Sequence, residues 1–221
     1  MTADPIALEV TRYKLEGIAN EMQSTLLRSS FSPIVKEGLD ASAGLFTADG
    51  QTLAQACAIP IHLATLIPCI AKILEEFPLE TMEEGDIYTM NDPYLGGTHL
   101  MDVRFVKPFF YRGELFAWLA NTGHWPDVGG MVPGSEAAVC KSIYQEGVRI
   151  PPVRIMHAGV VNRDVVDIIL LNSRTPDERV GDLNAQFAAN NVGTKSVLQL
   201  FERYGVKETQ AAIAGYLDFT E

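Results

Sequence analysis

Residues 102–120 read DVRFVKPFFYRGELFAWLA: two apolar runs meeting at Arg112-Gly113. Bulky apolar and aromatic residues on both sides of a short turn signal predict a β-hairpin. Two loops crowded with turn formers flank it. NDPYLGGTH (91–99) precedes it, and NTGHWPDVGGMVPGS (121–135) follows. A hairpin brings its two ends together, so both loops are expected at one end of the sheet.

The pattern on either side fills in the rest. Ile6, Val10, Tyr13, Ile18, Met22 and Leu26 recur close to a helical period, with Pro5 suited to a first turn, so residues 5–28 are read as a helix. Residues 43–55 form another hairpin around Asp49-Gly50. A second helix covers 63–77 and stops at Pro78, with Pro68 kinking it or lying in its first turn. Residues 86–90 are a short strand and 164–172 a short helix, and 178–204 is one long helix or two, broken at Gly193. The closing AAIAGYLDFTE reads as a helix with no stop signal, so the chain is expected to end before its fold does. The expected class is α+β: a mixed sheet with hairpins, flanked by helices.

Composition narrows the functions. The chain has 221 residues and a net charge of −11, which argues against nucleic acid and anionic membrane surfaces as partners. No apolar run approaches the roughly 20 residues that span a bilayer. The start, MTADPIALEV, has neither a basic segment nor an apolar core, so a cytoplasmic protein is expected. The three cysteines, Cys57, Cys69 and Cys140, form no CxxC pair, and packing is their expected role. No glycine-rich nucleotide-phosphate motif occurs, so no nucleotide-binding residue is assigned.

Of the four histidines, His99 and His124 lie in the two loops, each followed three residues later by an aspartate, Asp102 and Asp127. The hairpin would bring His99, Asp102 and His124 within reach of one another. Two neutral imidazoles and a carboxylate suit zinc, manganese or non-haem iron and leave a position open for water. The same pattern also arises by chance, with histidines bonding the backbone and aspartates capping turns. Tyr94 and Trp125 either wall a small-molecule pocket or pack the loops onto the sheet. His62, beside apolar residues at a helix start, reads as structural, with a ligand or substrate contact as the other options; His157 has no assigned role, and Asp40 alone reads as a turn or cap residue.

Longer matches add a resemblance. The stretch from Asn91 to Asp102 resembles the hallmark of the hydantoinase B/oxoprolinase family. Further segments agree in order: Asp40-Ala41-Ser42, Ile59-Pro60-Ile61-His62-Leu63, residues 123–130, Pro133-Gly134-Ser135, residues 145–152, residues 172–176 and residues 181–186. The resemblance runs nearly the whole length. It departs at Ala41-Ser42-Ala43, where the family often has an aromatic residue and then Ser-Cys, which leaves the substrate pocket open to difference. The family pattern also continues past residue 221, so residues 1–221 are expected to be the N-terminal, metal-binding portion of a larger subunit.

The resemblance implies the metal-bearing subunit of an ATP-dependent hydrolase of cyclic amides: a hydantoin, 5-oxoproline or a lactam such as caprolactam. A hydantoinase A-type partner would bind ATP and Mg and phosphorylate the substrate, in a heterotetramer with two of each subunit. The implied metal ligands fall on His99, Asp102 and His124, with Asp40 as a further ligand or general base and zinc as the first choice of metal. Metal-bound hydroxide would then attack the activated carbonyl, while Asp127 orients His124 from behind. The alternatives are a subunit of a biotin-independent ketone carboxylase, a non-catalytic assembly subunit, and a free-standing metallohydrolase.

Overall fold

The computed structural model describes residues 5–220. The chain runs through helix α1 (Pro5–Ser29), a single turn α2 (Pro33–Lys36), strands β1 (Ala41–Thr47) and β2 (Thr52–Gln55), and helix α3 (Pro60–Glu76). Strand β3 (Ile87–Met90), the hairpin β4 (Asp102–Tyr111) and β5 (Glu114–His124), and the strands β6 (Val153–His157) and β7 (Val160–Val161) follow. Helices α4 (Arg163–Asn172), α5 (Pro176–Tyr204) and α6 (Val206–Thr220) complete it. The strands build one seven-stranded sheet in the order β2-β1-β5-β4-β3-β6-β7. The α+β class is the expected one, but the sheet is not mixed: every pair is antiparallel.

Both expected hairpins form. Arg112 (φ 53) and Gly113 (φ 85) are both left-handed, the backbone that a two-residue hairpin turn requires. Alternation along the strands then sends successive side chains to opposite faces. On one face Ala41, Ala43 and Leu45 of β1 and Ala117 and Leu119 of β5 pack against Leu15, Ala19, Met22 and Leu26 of α1 and Ala185, Ala189 and Val197 of α5. On the other, Phe46, Val106, Trp118 and Ala120 pack against Leu63, Leu66, Cys69, Ile70 and Ile73 of α3. Burial pushes the Cys69 thiol up to about 12, so it packs as a neutral group.

Several expectations need correction. Ile6, Val10 and Tyr13 are exposed, and the buried stripe of α1 is Leu15, Ile18, Ala19, Met22 and Leu26, shifted round the helix. Helix α3 begins at Pro60, which leaves Pro68 in its interior and not in its first turn. Residues 121–124 are the end of β5 and not loop. Gly193 does not break α5: a Cβ there would lie 2.5 Å from Met22 Sδ and 3.1 Å from Leu119 Cδ2, so the glycine lets α5 press against α1 and the sheet. Strands β6 and β7 were not expected, because the apolar residues of 153–161 are few and interrupted by Arg154, His157 and Gly159. Among the described residues no helix is long and apolar enough to cross a membrane.

Candidate metal centre

The site is a product of strand register. Asp102 opens β4 and His124 closes β5, and the two are Cα partners across the hairpin. On the other side β1 pairs with β5 through Ala41 and Gly123, and the His124 amide donates to the Asp40 carbonyl (3.1 Å). Asp40, Asp102 and His124 therefore project from three adjacent strand ends towards α3. His99 joins them through a turn in which the Asp102 amide donates to the His99 carbonyl (3.3 Å).

The side chains converge. His124 Nδ1 lies 3.4 Å from Asp102 Oδ1 and 3.6 Å from Asp40 Oδ2, and His99 Nε2 lies 3.5 Å from Asp102 Oδ2. The two imidazoles meet edge to face with centroids 5.1 Å apart. One ligand atom from each of His99, Asp102 and His124 lies within 4.8 Å of the others. His62, from the first turn of α3, brings Nε2 to 3.4 Å from Asp102 Oδ2 and 3.5 Å from Asp40 Oδ1.

The electrostatics prepare these groups as ligands. Burial pushes the Asp102 carboxyl up, but His124, His62 and the Thr98 hydroxyl outweigh it and hold the group well below the usual carboxylate range. Burial holds His99 below its ordinary value against the pull of Asp102, which keeps the imidazole in its neutral, ligating form. Asp102 Oδ1 and His99 Nδ1 are buried with no hydrogen-bond partner. Buried polar atoms are ordinarily satisfied, and the orphaned Asp102 Oδ1, among the ligand atoms of His99 and His124, fits a divalent cation.

A buried scaffold holds this arrangement. Arg104, one strand period beyond Asp102 and fully buried, donates from Nη1 to the Asp102 carbonyl (2.9 Å) and from Nη2 to Thr98 Oγ1 (2.9 Å) and Thr65 Oγ1 (3.2 Å). Thr98 in turn donates to Asp102 Oδ2. Gly97 lets the loop come this close, since a Cβ there would meet Arg104 Nη1 at 2.9 Å. Sequence reasoning missed Arg104 and Thr98. The available signal was a cation set in the apolar run of β4, two residues from the aspartate.

The other expected site residues fall elsewhere or take other roles. Trp125 does not wall a pocket at the site: one residue beyond His124, it turns to the opposite face, is buried, and donates from Nε1 to Gln186 Oε1 (2.9 Å) beneath the Arg179 guanidinium. Asp127 makes no bond to His124. Its carboxylate accepts from the amides of Gly129 (3.0 Å), Gly134 (3.0 Å) and Arg174 (3.2 Å) and from Arg174 Nη1 (3.1 Å), which pins the loop to the start of α5. His62 does not sit on an apolar face: it is 3 % exposed and looks at the two carboxylates. Tyr94 is exposed on the loop before His99, with the Arg149 guanidinium 5.5 Å from its ring centre. His157, assigned no role, bonds through Nδ1 to Asp86 (2.9 Å) at the end of β6.

Comparison with known proteins places these residues in a wider set. A family model described as hydantoinase B/oxoprolinase matches residues 4–221. The beta subunit of a caprolactamase from Pseudomonas jessenii is 40% identical over 220 residues, covering 100% of this chain and 38% of that protein. A subunit of a putative D-/L-hydantoinase from a Pseudomonas species is 34% identical over 223 residues, with 99% and 38% covered. The crystal structure of the ATP-dependent caprolactamase from Pseudomonas jessenii superposes with a TM-score of 0.90 at 38% identity, over 99% of this chain and 38% of that one. The chain thus spans well under half the length of these relatives.

Proposed function

This chain belongs to the hydantoinase B/oxoprolinase family, and from that premise we propose that it is the metal-bearing part of a subunit in an ATP-dependent hydrolase of cyclic amides. The observation that carries this reading is the convergence of His99, Asp102 and His124 on one point, with Asp102 Oδ1 orphaned there. The names of the relatives, a caprolactamase subunit and a hydantoinase subunit, support the substrate class and a second, different subunit. We take that second subunit to be a hydantoinase A-type chain that uses ATP and Mg to phosphorylate the amide oxygen, in a cytoplasmic assembly with two of each.

Within this chain, His99, Asp102 and His124 would hold a divalent cation, with zinc first and manganese or iron next on donor chemistry. Such an ion supplies Lewis acidity that makes water a nucleophile near neutral pH. Asp40 is the one carboxylate of the cluster with appreciable exposure, its side chain 25% accessible against 1% for Asp102. It is placed to complete the ligand set or to accept a proton from attacking water. Tyr94, exposed on the His99 loop, is the residue offered to substrate. Asp102, whose oxygens face Thr98, His62, His99 and His124, is held as a ligand and not as a base.

The test is to co-express the full-length protein with its ATP-binding partner and screen lactams, hydantoins and 5-oxoproline for ring opening. ATP-dependent hydrolysis of one of these, lost in Asp40→Ala, is the expected result. Turnover that requires bicarbonate and a ketone would move the protein to a carboxylase. Undiminished hydrolysis in His99→Ala would reduce this chain to an assembly role.

A further inference from the structure

We propose that His62 is a positioning residue that ties Asp40 and Asp102 into one ligand set, its Nε2 facing both carboxylates while Ser42 holds the ring at Nδ1. The inference rests on the metal-centre reading above. Asp40 and Asp102 come from different strands, and the buried imidazole of α3 stands between them, 3.5 Å from Asp40 Oδ1 and 3.4 Å from Asp102 Oδ2. A ring nitrogen facing two carboxylate oxygens must carry its proton, because a bare lone pair there would face two negative charges. The other nitrogen, Nδ1, is 3.2 Å from Ser42 Oγ. That hydroxyl also donates to the Ile59 carbonyl (3.4 Å), which ties the imidazole to the start of α3. The two contacts together fix the orientation of the ring between the carboxylates.

The consequence concerns Asp40. Asp102 is fully enclosed and has Thr98 as a second anchor, whereas the Asp40 side chain is partly exposed and, among the described residues, is paired with the imidazoles of His62 and His124. Without the N–H between them, the two carboxylates repel, and Asp40 is free to turn to solvent. His62 would therefore set how many carboxylates the cation meets. Outer partners of metal ligands commonly change affinity by roughly 10–100-fold.

The experiment measures the zinc dissociation constant of the full-length protein by chelator competition, for the wild type, His62→Leu, His62→Gln, Ser42→Ala and His99→Ala, with the melting temperature of each metal-free form. The expected result is a weakening of about 10–100-fold in His62→Leu and a smaller loss in Ser42→Ala, with His62→Gln, which keeps a donor, recovering most of the affinity. Unchanged affinity in His62→Leu overturns the proposal, as does an equal loss in Leu and Gln, which would make His62 a ligand in its own right. Should His62→Leu fail to fold, unchanged affinity in Ser42→Ala overturns it. A wild type that binds zinc no better than His99→Ala would instead bring down the metal-centre reading itself.

Discussion

Asp102 and His124 are Cα partners at the open end of one hairpin, and their side chains face each other with 3.4 Å between Oδ1 and Nδ1. The turn at Arg112-Gly113 sets the strand register and so decides that these two residues share a face. A slip of one residue would send His124 to the opposite side of the sheet, where Trp125 now lies. The cluster is thus built into the most extensively paired strands of the sheet.

Asp127 is a structural residue in this account. Replacing it with alanine strands three backbone amides, while the half-exposed Arg174 guanidinium keeps the Gly129 and Gly130 carbonyls, and stability should fall by roughly 1–3 kcal/mol. Chemical denaturation measures this. Metal affinity of the folded protein should stay within about threefold of wild type; a loss as large as that of His124→Ala would restore Asp127 to the support of His124.

Asp86 makes a pH-dependent contribution. Burial pushes its carboxyl up, but the amides of Ala158 and Glu83, then His157 and Tyr88, outweigh that and hold it below the ordinary value of 3.8. A depressed carboxyl stabilises the fold above the unfolded-state value and loses that contribution as pH falls through the native one. Asp86→Asn should therefore be less stable than wild type at pH 7, with the gap closing below about pH 4. Urea midpoints across pH 2.5–7 check this; a constant gap would contradict it.

Gly193 marks a close approach of helices. Valine there must displace Met22 and Leu119, and overpacking of this kind costs about 1–3 kcal/mol. Thermal melts should show the loss, with metal affinity unchanged because the contact lies on the opposite face from the cluster. A neutral Gly193→Val would mean that the interface yields more easily than its packing indicates.

Local signals made much of this legible. Asp49-Gly50 and Arg112-Gly113 placed both hairpins, and the hairpin logic brought His99, Asp102 and His124 together. What escaped depends on longer-range packing. Ile6, Val10 and Tyr13 follow the helical period as well as the residues that are buried, and only the position of the sheet and α5 decides which stripe is covered. Gly193 looks like a break until Met22 is placed against it. Trp125 looks like a neighbour of His124 in sequence, yet strand alternation puts it on the other side. His62 reads as an apolar-face histidine because its partners, Asp40 and Asp102, are far off along the chain.

His99, Asp102 and His124 are proposed to bind one divalent cation together. Elemental analysis of the full-length protein, purified without added metal beside Asp102→Asn and His124→Ala, tests it most directly. About one equivalent of zinc, manganese or iron per wild-type chain is expected, and little in either folded variant. Equal metal content in all three proteins, or none in a wild type that turns over substrate with its partner, would contradict it.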